Sequence, residues 1–139
     1  MLSATHLLAT PALAWEEPQR GTAARGQIMS AIRPHIEWTL GAPVEFVVQD
    51  LRRDGDAAFA SLMAQRPGGA PINLYNTPGA LRGEIDPEYM DGSAVQALLQ
   101  KSGDTWVAVH HTIGATEAWW HWEEHCPIWH RVIPEACGG

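Results

Sequence analysis

The chain has 139 residues, one domain by length, and 45% of them are hydrophobic, enough for a core without a metal staple. Nine basic against sixteen acidic residues give a formal charge of −7. No basic cluster exists beyond Arg52-Arg53, which argues against nucleic acid and anionic membrane surfaces, both of which are gripped through Lys and Arg.

The chain opens MLSATHLLATPALAWEEPQ. Leu7 to Ala14 form a short apolar run, and Ala12-Leu13-Ala14 fits the small-x-small rule for signal-peptidase cleavage before Trp15. No Lys or Arg precedes the run, so residues 1–14 read as the remnant of a longer signal peptide. This predicts a periplasmic or secreted protein, with residues 15–139 as the mature domain. No stretch reaches the ~20 apolar residues of a membrane span.

From Thr22 to Leu40, Ile28, Ile32, Ile36 and Leu40 recur every four positions, the stripe of an amphipathic helix. Pro34 predicts a kink or break near Ile32-Arg33, and Gly41 with Pro43 a stop. Val44, Phe46 and Val48 then alternate with Glu45, Val47 and Gln49, as in a half-buried strand. Asp54-Gly55 predicts a hairpin turn leading into an antiparallel strand over Ala57–Gln65, where the alanines leave helix as the alternative. Asp50, Asp54 and Asp56 are explained by turn chemistry and Arg52-Arg53 by solvation.

Residues 66–92 hold five glycines and four prolines and predict a long loop, with a brief edge strand over Ile72–Tyr75. Val95–Gln100 and Trp106–Ile113 read as two strands joined by Lys101-Ser102-Gly103-Asp104. Thr116 is placed to cap a short helix from Glu117 to His125, ended by Pro127. The elements together predict an α+β domain, an N-terminal helix packed on an antiparallel four-stranded meander with a short C-terminal helix.

The blocks "IRPHIEWTLGAPVEFVVQDLRRDGDAAFASLMAQRPGG" and "ALLQKSGDTWVAVHHTIGATEAWW" resemble a group of small exported bacterial proteins without an established activity. These share a helix, a strand ending in a hairpin glycine, a "QRP-G" segment, and a late "W-x-V" strand before a Gly-x-Thr-acid turn. The chain departs from that pattern at Ala57, where a bulky aromatic is expected, and in its His-rich end. A curved sheet wrapped round a helix, as in cystatin-like and nuclear-transport-factor-like folds, implies a pocket. The resemblance carries no catalytic residue.

The segment "AWWHWEEHCPIWH", residues 118–130, concentrates the chemistry. On a helix turning by about 100° per residue, Trp119, Trp122 and Cys126 share one side. Glu117, His121, Glu124 and His125 share the other, so the plain expectation is indoles inward and imidazoles outward. A sharper reading is a metal site for zinc or copper. His121 and His125, one turn apart, would grip the ion; Glu124 or Glu117 would support it and His130 would fold back. His121-Trp122-Glu123-Glu124-His125 also spells H-x-x-E-H, the inverted zinc-protease motif. Such proteases need a larger domain and a further acidic ligand, and only Arg131 and Glu135 carry charge beyond His125.

Adjacent on a strand, His110 and His111 are expected to face opposite ways, one toward a pocket between helix and sheet. With Trp38, Trp106 and Trp120, alongside Trp119 and Trp122, His110 forms the candidate aromatic ligand site. No Gly-x-Ser-x-Gly occurs and no nucleophile pairs with either histidine, so an enzyme is the weakest reading. Cys126 and Cys137 suit a disulfide in an exported protein and free thiols in a reducing compartment. The sequence therefore predicts a non-catalytic binding or accessory module without a cofactor, its partner a small molecule or a protein.

Overall fold

The computed structural model describes residues 15–138; the expected signal-peptide remnant, 1–14, lies outside the described residues. Helix α1 spans Ala23–Leu40, and the Thr22 hydroxyl accepts the Arg25 backbone N–H at its start. Its stripe of Ile28, Ile32, Ile36 and Leu40 is fully buried. The helix does not break at Pro34. Pro34 and Ser30, whose carbonyl loses its intrahelical donor, are both exposed, so water can satisfy that carbonyl. The isoleucines on either side of the proline hold both halves against one sheet. At the other end, Arg66 of the "QRP" segment donates to the Leu40, Gly41 and Pro43 carbonyls, serving backbone acceptors that the helix end leaves open.

Strands β1 (Glu45–Asp54), β2 (Ala57–Gln65), β3 (Ala94–Ser102) and β4 (Thr105–Ile113) form an antiparallel sheet in the order β1-β2-β3-β4. The domain is α+β as expected. Both tight hairpins turn on Gly-Asp: Gly55-Asp56 and Gly103-Asp104 lie between the closing pairs Asp54–Ala57 and Ser102–Thr105. Only the glycines take positive φ, at 58° and 60°, the requirement of a type II′ turn with Gly first. The first turn is therefore one residue later than Asp54-Gly55. There is no strand over Ile72–Tyr75. Asn73 instead accepts the Tyr75 N–H through its side chain and starts a 3-10 turn over Leu74–Asn76. The short helix α2 (Pro78–Leu81) follows, its Gly79 seated so closely on Thr39 that a Cβ would lie 2.6 Å from the threonine methyl.

The sheet is covered on both faces. Beneath α1 lie Leu51, Ala60, Leu62, Val95 and Leu99. On the opposite face Phe59 and Leu98 pack with Trp119, Trp129, Val132 and Ile133, so the C-terminal tail forms a third layer. The Trp129 indole donates to the Leu99 carbonyl at 2.8 Å, where a bulge interrupts the β3–β4 ladder. Arg52 is not solvated charge. It bonds Asp50, Glu135 and the Val132 carbonyl while its guanidinium lies 4.7 Å from the Trp15 ring centre. Those hydrogen bonds hold its pKa above the usual value against the opposing effect of partial burial. Cys126 and Cys137 form a disulfide with Cα atoms 5.6 Å apart. No helix among the described residues is long and apolar enough to cross a membrane.

Candidate functional site

Two local irregularities decide where the candidate side chains go. The first is the β4 bulge. His110 pairs with Leu98 and Ala108 with Leu99, so the extra residue Val109 offsets the two-residue alternation. Trp106 and Ala108 face α1, but His110 joins Leu98 on the tail face. Without the bulge Trp106 and His110 would share a face, as period-two reasoning requires. His111 takes the α1 side and stacks on His35, ring centres 4.6 Å apart. The two histidines face opposite ways as expected, and neither is sealed inside a helix–sheet pocket.

The second irregularity is the tail. No helix runs from Glu117 to His125. Two 3-10 turns, Trp119–His121 and Glu123–His125, are separated by Trp122 in extended conformation (φ −64°, ψ 139°). Helix α3 (Cys126–Trp129) carries Pro127 in its first turn, where proline's missing N–H is not needed, so the proline does not end a helix as expected. Thr116 caps no helix. The break at Trp122 redirects everything after it: Trp122 is 47% exposed, whereas His125 is 6% exposed. Trp119 does point inward, its indole donating to the Thr112 hydroxyl at 2.7 Å.

The metal candidates are dispersed accordingly. His121 lies 4.0 Å from Glu135, and the His130 ring meets the Cys126 carbonyl at 3.0 Å. His125 packs among Trp119, Trp129 and His110. Glu124 lines a groove with His125. Among the described residues no three His, Cys, Asp or Glu side chains are grouped to hold an ion. The aromatic candidates are dispersed too. Trp38 is 65% exposed under the Arg82 guanidinium, Trp106 is in the α1 core, and Trp120 lies against Phe59.

Only His110, of those four, lines the principal concavity. This is an open groove of about 780 Å³ that runs along the end of β4, within the usual range of ligand sites. Val109 to Gly114 form its floor, Glu84 to Met90 one wall, and the segment from Ala115 to His125 the other. Gly114 (φ 70°) joins floor to wall: its carbonyl accepts the Asp91 N–H at 2.8 Å, and a Cβ there would lie 2.8 Å from that of Met90. Trp119, Trp122 and Tyr89 supply aromatic surface.

The electrostatics are one-sided. Asp86, Glu117 and Glu124 line the groove without a salt-bridge partner among the described residues, and no Lys or Arg lines it. Glu84 is held by Arg82, whose hydrogen bond lowers its pKa. Burial lowers the pKa of His125, the nearby His110 adds to this, and Glu124 opposes it. His111 is lowered by partial burial and then by His35 and His110. Both shifts favour the neutral imidazole, so neither ring readily offsets the carboxylates. Such a surface can hold a ligand that is partly apolar and positively charged.

Sequence reasoning missed Asp86 and Val109 and placed Trp122 inward. Its one available signal was the unusual length of the 66–92 loop, part of which is a wall. Comparison with protein-family models, curated proteins and solved structures finds no match to this chain.

Proposed function

We propose that the protein is a binding module whose ligand, cationic with an apolar part, lies in the groove beside β4. One observation carries this reading: three carboxylates without cationic partners share a concave surface with Trp119, Trp122 and Tyr89. Ligand sites combine mostly apolar walls with a few placed polar groups, and a cation gains from both the carboxylates and the aromatic faces. Export belongs to the same reading. The Cys126–Cys137 disulfide is consistent with an oxidising compartment. The resemblance to small exported bacterial proteins with cystatin-like or nuclear-transport-factor-like domains points the same way, since their helix-on-meander arrangement suits a binding role.

The test uses 2-phenylethylamine, a small aromatic ammonium, titrated into ¹⁵N-labelled protein. Saturable amide shifts are expected over 84–90, 109–117 and 122–125, with a change in tryptophan emission that Trp122→Ala reduces. Trp122 is exposed, so the variant retains the core. Absence of saturable shifts at millimolar probe, or shifts confined to other surfaces, overturns the proposal.

A further inference from the structure

We infer that β4 is the docking edge for an extended, positively charged segment of another polypeptide, which adds to the sheet as a fifth strand; this rests on the groove reading above. The two edges of the sheet are treated differently. On β1, Glu16 covers the hairpin end of the edge with two backbone hydrogen bonds to Arg53, at 2.8 and 2.9 Å. On β4, among the described residues, no backbone group other than those of β3 bonds to residues 105–113. An unpaired edge is a template for pairing, and proteins blunt it with lysine, proline or a cover. The sequence of β4, TWVAVHHTI, has neither residue, and Val107 and Val109 are 45% and 42% exposed. Only the bulge at Val109 interrupts the strand.

The groove supplies what an added strand needs. Its floor from Val109 to Gly114 is six residues long, roughly 20 Å of extended chain. Main-chain hydrogen bonds along such an edge give affinity, and alternate side chains meet the two walls. Val109, Ile113 and Trp122 offer apolar contact there, while Asp86, Glu117 and Glu124 offer negative charge. That charge selects the occupant. A second copy would bring the same carboxylates and a net charge of −7, setting like charges together across a β4–β4 pair. A segment alternating apolar residues with lysine or arginine satisfies both requirements.

The probe is a heptapeptide of alternating lysine and valine, titrated calorimetrically into the full chain, with amide exchange followed by NMR. Saturable binding is expected, with exchange slowed at amides within 105–114. The same peptide methylated at every backbone nitrogen keeps its charge but has no backbone donor, and should bind at least about tenfold more weakly. An alternating glutamate–valine peptide should show no saturable binding. Glu117→Lys combined with Glu124→Lys, both at exposed positions, should weaken the lysine peptide by at least about tenfold. Equal affinity for the methylated peptide overturns strand addition. So does failure of the lysine peptide on protein that still takes 2-phenylethylamine, a result that leaves the groove reading standing; failure of both probes removes both. Dimerisation that protects β4 without peptide assigns the edge to a second copy and likewise overturns the inference.

Discussion

His110 and His125, fifteen positions apart, lie with ring centres 4.8 Å apart where the floor of an acidic groove meets its wall. The β4 bulge turns His110 toward the tail, and the extended Trp122 drives His125 inward to meet it. Trp129 approaches both rings edge-on at 5.6 and 5.9 Å. Burial and mutual repulsion both oppose protonation of His125.

Stability should therefore fall in mild acid. An unfolded histidine takes a proton near pH ~6.5, whereas folded His125 and His111 take theirs lower. Between those values the unfolded state binds more protons, so stability rises with pH there and is level above it. Urea midpoints measured from pH 7.5 to pH 5, both chosen as about one unit or more from the free value, should drop on the acid side. His125→Leu should shallow the slope, and a level profile in the unaltered protein would contradict the arrangement.

Loss of the disulfide should cost about 2–3 kcal/mol, the loop-closure entropy expected for cysteines eleven positions apart in the chain. The loop it closes contains Trp129, Val132 and Ile133, all core residues of the tail face. The double variant Cys126→Ser/Cys137→Ser should still fold, because Arg52 and the Trp129 indole anchor the tail independently. Denaturant unfolding of the two forms measures the difference.

Zinc should not distinguish the protein from its His121→Ala variant. His121 and His125 are not one helical turn apart, because Trp122 interrupts the segment, and His121 faces Glu135 instead. Calorimetric titration with Zn²⁺ checks this. Marked weakening on removing His121 would restore the chelating pair that the spacing suggested.

The fold was legible because its signals are repeated. Four aliphatic residues at four-residue spacing specify the buried face of α1 more strongly than one proline opposes it. Each of the two tight hairpins carries a glycine beside an aspartate, enough to mark the turn although the first lies one residue later than expected. The site was poorly legible because single events create it. One inserted residue, Val109, separates Trp106 from His110, and nothing in TWVAVHHTI announces a bulge. One extended residue, Trp122, undoes a helix whose amphipathic pattern was sound on paper. Burial of both Trp119 and Trp129 in the tail-face core outweighs the gain from a continuous helix. The groove's second wall comes from residues 84–90, twenty or more positions from the histidines, and no local pattern links them.

Gln96→Met should stabilise the protein. Gln96 is buried, between Ser61 and Thr112 in register, and its Oε1 has no hydrogen-bond partner. A buried acceptor left unpaired costs about 1–3 kcal/mol, and methionine fills a similar volume without it. A gain of about 1 kcal/mol in urea unfolding is expected. A loss of that size would show that the amide serves the fold.

Gly114→Ala tests the link between fold and groove. The residue sits at φ 70°, which costs an alanine about 1–2 kcal/mol, and the new Cβ would lie 2.8 Å from Met90 Cβ and 2.9 Å from the Gly92 carbonyl. Neither neighbour can yield by a side-chain rotation alone, since one is a Cβ and the other backbone. The wall from Glu84 to Met90 must move away from β4, breaking or lengthening the bond from the Asp91 N–H to the Gly114 carbonyl. The variant should lose about 2–4 kcal/mol of stability, strain and overpacking together. Its affinity for 2-phenylethylamine should fall even under conditions where it is fully folded, whereas Gly21→Ala, strained at φ 82° but remote from the groove and with nothing near its Cβ, should lose stability alone. Equal probe affinity in both variants would mean that the 84–90 wall takes no part in binding.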